Sequence, residues 1–208
     1  MKKAIYIFIF FISQYFFGQQ SNQLWKGYFS YNEIVDVESS TNAVFASTQN
    51  ALFSQVVASS NLNVYNSITG LKPDVITTIH HSDAFNKTFV GNNNGLILIQ
   101  NADGSVTTKV DVIEEVPVPP NKKRINDFFE FNGRLYIATD YGISVIDIAT
   151  SEFISTYFIG TSGEETEVLQ TTVFNNEIYA VTRSFGIRKA NLNNPNLFDF
   201  SQWQTFDT

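Results

Sequence analysis

The sequence predicts an all-β chain, a β-propeller of four-stranded blades with about four blades present. Three observations carry this. The chain repeats itself with a period of about 45 residues, each repeat has room for four strands, and the repeated central strands are apolar on both faces.

The repeat is read from four segments: NAVFASTQNALFS (42–54), NKTFVGNNNGLILI (86–99), GRLYIATDYGISVI (133–146) and NEIYAVTRSFGIRKA (176–190). Their aromatic anchors Phe45, Phe89, Tyr136 and Tyr179 are spaced by 44, 47 and 43 residues. The apolar residues opening the next strand, Leu52, Leu96, Ile143 and Ile187, are spaced by 44, 47 and 44. Gly95, Gly142 and Gly186 precede that residue, where a tight hairpin favours positive φ. The first unit has Ala51 there, preceded by Asn50, so its turn is expected to shift by one position.

Apolar runs before and after each hairpin supply the other two strands. They are Ile34–Val37, Val75–Ile79, Ile125–Phe131 and Val168–Phe174 before it. After it come Asn61–Tyr65, Val106–Ile113, Phe153–Ile159 and Trp203–Phe206. No helical periodicity competes with these Val-, Ile-, Phe-, Tyr- and Thr-rich runs. Leu135-Tyr136-Ile137-Ala138 and Ile178-Tyr179-Ala180-Val181 do not alternate, as expected of strands covered on both sides by neighbouring blades. The units span roughly 34–74, 75–123, 124–165 and 166–206, and residues 24–31 form an extra N-terminal strand. Its Trp25-x-x-Tyr28 matches Trp203-x-x-Phe206 at the other end of the chain. Four blades are the lower limit for a ring, so residues 19–208 read as part of a larger propeller, truncated. A closed four-blade ring and an open, self-assembling array are the alternatives. In the truncated reading the end blades leave apolar residues such as Val44, Ala46, Ile178 and Ala180 near uncovered faces.

Composition narrows the function. With 43% hydrophobic residues and 16% charged ones, the chain has the composition of a folded domain. It has no Cys, which excludes disulfides, thiolate metal sites and a cysteine nucleophile. Residues 1–18, with Lys2-Lys3, the apolar run Ala4–Ile12 and Gly18, read as a secretory signal peptide. That run is too short for a membrane span, and no transmembrane span is expected once it is removed. The remaining chain carries a net charge of −9, which argues against nucleic acid as a partner.

The chemistry-bearing residues read as structural. His80 and His81 are adjacent on a strand, point to opposite faces and do not readily share a metal. Glu164, Glu165 and Glu167 lie in a solvated loop, and Asp103-Gly104 reads as a hairpin turn. Lys122, Lys123 and Arg124 form the only basic cluster of the mature chain, a candidate contact for an anion or glycan phosphate on one rim. No Ser-His-acid set and no phosphate-binding loop can be named, so no catalytic residue, metal site or cofactor is expected.

Three features carry a family resemblance. Ser67-Ile-Thr-Gly-Leu-Lys-Pro-Asp-Val-Ile76 resembles the linker between blades of two-component-regulator-type propellers, and Ala138-Thr-Asp-Tyr-Gly-Ile143 resembles their hairpin. Residues Leu24–Asn32 together with Pro195–Trp203 resemble the N-terminal propeller of PorZ-like proteins of the Bacteroidetes type IX secretion system. The resemblance implies a seven-bladed ring, a second propeller and a sorting domain beyond this chain. It also implies a non-enzymatic place at the cell surface beside a sortase, and presentation of anionic lipopolysaccharide. The alternative is an extracellular, glycan-binding sensory propeller of a two-component signalling protein, with an enzymatic propeller a distant third.

Overall fold

The computed structural model describes residues 31–206 except Ser60, Pro73 and Pro117. The expected signal peptide and residues 24–30 of the expected extra strand lie outside the described residues, and Tyr31 is not in a strand.

Four antiparallel sheets follow one another along the chain. Blade 1 holds β1 (Ile34–Ser39), β2 (Ala43–Thr48), β3 (Ala51–Val56) and β4 (Leu62–Tyr65). Blade 2 holds β5 (Ile76–Ser82), β6 (Lys87–Asn92), β7 (Ile97–Gln100) and β8 (Val106–Lys109). Blade 3 holds β9 (Ile125–Phe131), β10 (Arg134–Thr139), β11 (Ile143–Asp147) and β12 (Phe153–Tyr157). Blade 4 holds β13 (Val168–Phe174), β14 (Glu177–Thr182), β15 (Ile187–Asn191) and β16 (Gln204–Thr205). In every blade the strands pair in chain order, and the first strands β1, β5, β9 and β13 lie against one another in succession. The fold is an all-β propeller arc with these four strands innermost. No helix among the described residues is long and apolar enough to cross a membrane.

The core sits between blades. Phe45, Leu52, Val90 and Leu98 fill the space between blades 1 and 2. Phe89, Ile97, Ile99, Leu135 and Ile137 fill that between blades 2 and 3. Tyr136, Val145, Ile178, Ala180 and Trp203 fill that between blades 3 and 4. The central strands are therefore buried on both faces wherever a blade has two neighbours, which is why their sequences do not alternate.

Four local expectations need correction. The turn of unit one does not shift: Ser47 pairs with Leu52 as Ala138 pairs with Ile143, and Asn50 is absent from the residues of positive φ. In unit two the paired residue is Ile97, opposite Gly91, rather than Leu96, because that turn is one residue longer. The run Val106–Ile113 leaves the sheet after Lys109 and forms a helical turn, α1 (Asp111–Glu114). That turn carries Val112 into the core between blades 2 and 3. Finally, Ile178 and Ala180 are fully buried against blade 3, and the uncovered face of blade 4 carries Tyr179 and Val181 instead.

Candidate functional site on the inner strands

The innermost strand of each blade is a sheet edge, and a bare edge leaves backbone N–H and C=O groups unpaired. Here side chains of neighbouring blades occupy them. Asp36 on β1 accepts from the backbone N–H of Ile79 and from Thr78 Oγ1 on β5, both at 2.9 Å. Glu38 accepts from the backbone N–H of His81 at 2.7 Å. Asp127 on β9 holds the position in blade 3 that Asp36 holds in blade 1, and the backbone N–H of Thr171 on β13 favours its charged form. Carbonyls are met as well, with Thr77 Oγ1 donating to Ile125 O at 2.6 Å and Asn126 Nδ2 to Val168 O at 2.9 Å.

His80 lies at the centre of this network. Its Nδ1 is 2.8 Å from Glu38 on β1 and its Nε2 is 3.1 Å from Glu130 on β9, so one imidazole joins three blades. Burial alone would lower the His80 pKa, but the hydrogen bonds and charges of Glu38 and Glu130 outweigh it and hold the imidazole above its ordinary value. His81 turns the other way, stacks on Phe45 at 4.3 Å between centroids and bonds Thr88 Oγ1 at 2.9 Å. Burial lowers its pKa against the opposing charges of Asp83 and Glu38. Burial also pushes the Asp127 carboxyl up to about 6, and the negative charge of Asp36 adds to it against the N–H groups of Phe128 and Thr171.

These shifts predict a pH response. Asp127 has a raised folded-state pKa, so its contribution is complete below about 3.8 and is lost as pH rises through about 6. His80 acts in the same direction, its contribution complete below 6.5 and lost as pH rises through its higher folded value. His81 opposes both, gaining as pH rises. Asp127→Asn is therefore expected to lose its advantage in thermal stability over the parent as pH falls from 7 to 4. The swing is roughly 1–3 kcal/mol, at 1.36 kcal/mol per pKa unit. Paired melts at several pH values would show it, and a constant difference would count against it.

The three side chains of the basic cluster point to different partners. Lys123 is buried, and its ammonium donates to the carbonyls of Ile113 and Glu115, tying α1 to the blade 3 entry. Lys122 is exposed and paired with Glu165 at 2.7 Å, beside a cleft of about 410 Å³ that Phe158, Gly163 and Glu164 also line. Arg124 is exposed and bonds the side chains of Asn126 and Asn93. Of the loop acids, Glu164 accepts from its own loop at Ser162 N and Glu167 pairs with Arg183 at 2.8 Å. Asp103 accepts from Ser105 N and Oγ, with Gly104 at a φ of +83°.

Sequence reasoning passed over Asp36, Glu38, Asp127 and Glu130. The available signal was four acids inside Val-, Ile- and Phe-rich first strands, IVDVES and INDFFEF, where a half-buried charge demands a partner.

The fold has known relatives. The PorZ structure from Porphyromonas gingivalis superposes with a TM-score of 0.73 at 19% identity, over 88% of this chain and 24% of that one. The extracellular domain described as part of a hybrid two-component system, BT3049 of B. thetaiotaomicron, gives 0.63 at 16%, over 85% and 22%. BamB from Moraxella catarrhalis gives 0.58 at 14%, over 79% and 52%. The chain thus spans about a quarter of the PorZ chain. A sequence comparison with curated proteins finds no match. The model of the type IX secretion PorZ N-terminal β-propeller domain matches residues 44–204, from β2 of blade 1 to the start of β16 in blade 4. The chain belongs to the PorZ N-terminal β-propeller family.

Proposed function

We propose that the chain is a non-enzymatic, exported propeller that serves as a scaffold or ligand-presenting component of the type IX secretion and surface-attachment machinery. The family match over residues 44–204 carries this reading. Its partners are then other surface proteins of that system, a sortase among them, and an anionic lipopolysaccharide. Removing the coding region from the producing bacterium is expected to lower the amount of sorted cargo held at the cell surface. Unchanged cargo attachment with intact expression of the remaining system would refute the reading. A sensory role is the second reading, favoured by the likeness to an extracellular domain of a two-component system. It predicts altered transcription with cargo attachment intact.

The exposed cations Lys122 and Arg124 are the proposed anion contacts, with Lys123 as their structural support. Glu165 competes for Lys122. Binding of anionic lipopolysaccharide is expected to weaken about tenfold in Lys122→Ala/Arg124→Ala, equivalent to roughly 1.4 kcal/mol, and to strengthen in Glu165→Gln. Equal affinity in all three proteins, measured by surface plasmon resonance, would remove this rim from the binding site.

A further inference from the structure

A cleft of about 440 Å³ lies at the outer part of the junction between blades 3 and 4, a volume within the usual range of ligand pockets. Blade 3 supplies Arg134, Ile154 and Tyr157 to it, and the connection from β15 to β16 supplies Asn193, Pro195 and Phe198. Lys122 and Arg124 precede β9, whereas Arg134 follows the far end of that strand. The cleft therefore opens on the opposite rim from those two cations.

In this acidic chain most cations are already matched. Lys109, Lys122, Arg183 and Lys189 pair with carboxylates, and Lys87, Lys123 and Arg188 donate to carbonyls. Arg134 is exposed and has neither kind of partner among the described residues. The carboxylate opposite it in the sheet, Asp147, accepts from Thr150 N at 2.9 Å instead. Tyr157 adds a second polar group. It is 6% exposed and lines the cleft, and its hydroxyl has no protein partner yet is not shut off from solvent. Burial raises the Tyr157 pKa, Tyr136 adds to this, and the Arg134 charge opposes both. The phenol therefore stays protonated near the guanidinium, a donor without an acceptor.

Beside this polar pair stand apolar side chains left in water, Ile154 at 42% and Phe198 at 63% exposure. Ile154 and Tyr157 belong to β12, the outermost strand of blade 3, whose outer edge pairs with no other strand among the described residues. A bare edge offers N–H and C=O groups to an extended chain. We propose that this cleft receives an extended acidic segment of a partner protein, with a carboxylate held by Arg134 and Tyr157 and an adjoining apolar side chain against Ile154 and Phe198. The charge follows from two donors that lack an acceptor, and a guanidinium takes a carboxylate through two parallel N–H···O bonds. The polypeptide follows from the sheet edge, which a lipid anion would leave unpaired. This site is independent of the Lys122 and Arg124 rim and of whatever that rim binds.

The test is fluorescence anisotropy of the purified chain with a labelled extended peptide that carries one glutamate between two leucines, and with its glutamine counterpart. The glutamate peptide is expected to bind at least about tenfold more tightly, the equivalent of roughly 1.4 kcal/mol. Arg134→Gln should abolish that preference and leave the glutamine peptide's affinity as it was, with unchanged circular dichroism. Tyr157→Phe keeps the ring and should weaken the glutamate peptide about threefold. Phe198→Ser should weaken both peptides alike, because it removes apolar contact and no charge. Equal affinity of the parent chain for the two peptides overturns the proposal, as does the lack of saturable binding by either. So does a glutamate preference that survives Arg134→Gln. Decanoate that binds as tightly as the glutamate peptide would also overturn it, since the sheet edge would then contribute nothing and the cleft would be a site for a lipid anion.

Discussion

Gly142→Ala is expected to cost more than about 3 kcal/mol and to leave little folded protein, because the turn it closes has no room for a side chain. Gly142 has a φ of +155°, and a Cβ added there would collide with the backbone carbonyl oxygen of Tyr157. A carbonyl within a paired strand cannot swing aside as a side chain would. The turn is also tied at several points, with Thr139 N and Oγ1 donating to Gly142 O at 2.9 and 3.0 Å. Displacing it pulls on Tyr141, a fully buried ring whose hydroxyl lies 2.6 Å from Ser144 Oγ. Burial pushes that phenol up to about 12, so it stays protonated and in need of its partner. Gly186 is the internal control. It occupies the matching place in blade 4 at a φ of +63°, with nothing within 4 Å of an added Cβ. Gly186→Ala should cost only about 1 kcal/mol from backbone strain. Denaturant titrations of the two variants would separate steric collision from φ preference, and equal losses would show that the Tyr157 contact is unimportant.

The contrast between those glycines marks what could be read from the sequence. Blade number and strand order were legible, because the anchor residues recur locally in every unit. Orientation was not. A strand such as Ile178-Tyr179-Ala180-Val181 is apolar at every position, so nothing in it says which pair faces blade 3. Leu96 and Ile97 were equally good candidates for the paired position, and only the longer turn of unit two decides between them. The helical turn at 111–114 escaped because Val112 is held by contacts with blades 2 and 3, not by any periodicity of its own. The same cause hid the inner network. Asp36, Glu38, His80 and Glu130 meet only after three blades are stacked, and the partners lie 42 to 50 residues apart. Lys123 resembled its neighbours Lys122 and Arg124 in sequence, yet the carbonyls around α1 gave it a buried, structural place.

Arg188 is a second buried cation of that kind, and its removal should be costly. It occupies on blade 4 the backward-facing position held by Leu98 in blade 2 and Ser144 in blade 3. Its guanidinium fans out to Ile159 O at 3.1 Å, Thr205 Oγ1 at 3.1 Å and Trp203 O at 2.6 Å. Burial lowers its pKa against the pull of Glu164, but arginine remains charged at any physiological pH. The three bonds connect blade 3, the two-residue strand β16 and the turn that carries Trp203. Trp203 is itself buried, donating from its indole N–H to Leu197 O at 2.9 Å. Arg188→Leu would supply the side chain that blade 2 uses and fill the apolar space, yet it would strand the buried carbonyls of Ile159 and Trp203. At roughly 1–3 kcal/mol per unsatisfied group, a loss of about 2–4 kcal/mol is expected. Arg188→Lys should fall between, because an ammonium keeps the charge but not the planar fork. The loss should be local before it is global. Faster hydrogen exchange at Gln204–Phe206 and a red-shifted Trp203 emission are expected under conditions where blades 1 to 3 stay protected. Replacing a buried ion with a well-packed apolar side chain is sometimes stabilising. If Arg188→Leu melts at or above the parent temperature with Trp203 emission unchanged, the guanidinium is not what holds the last strand in place.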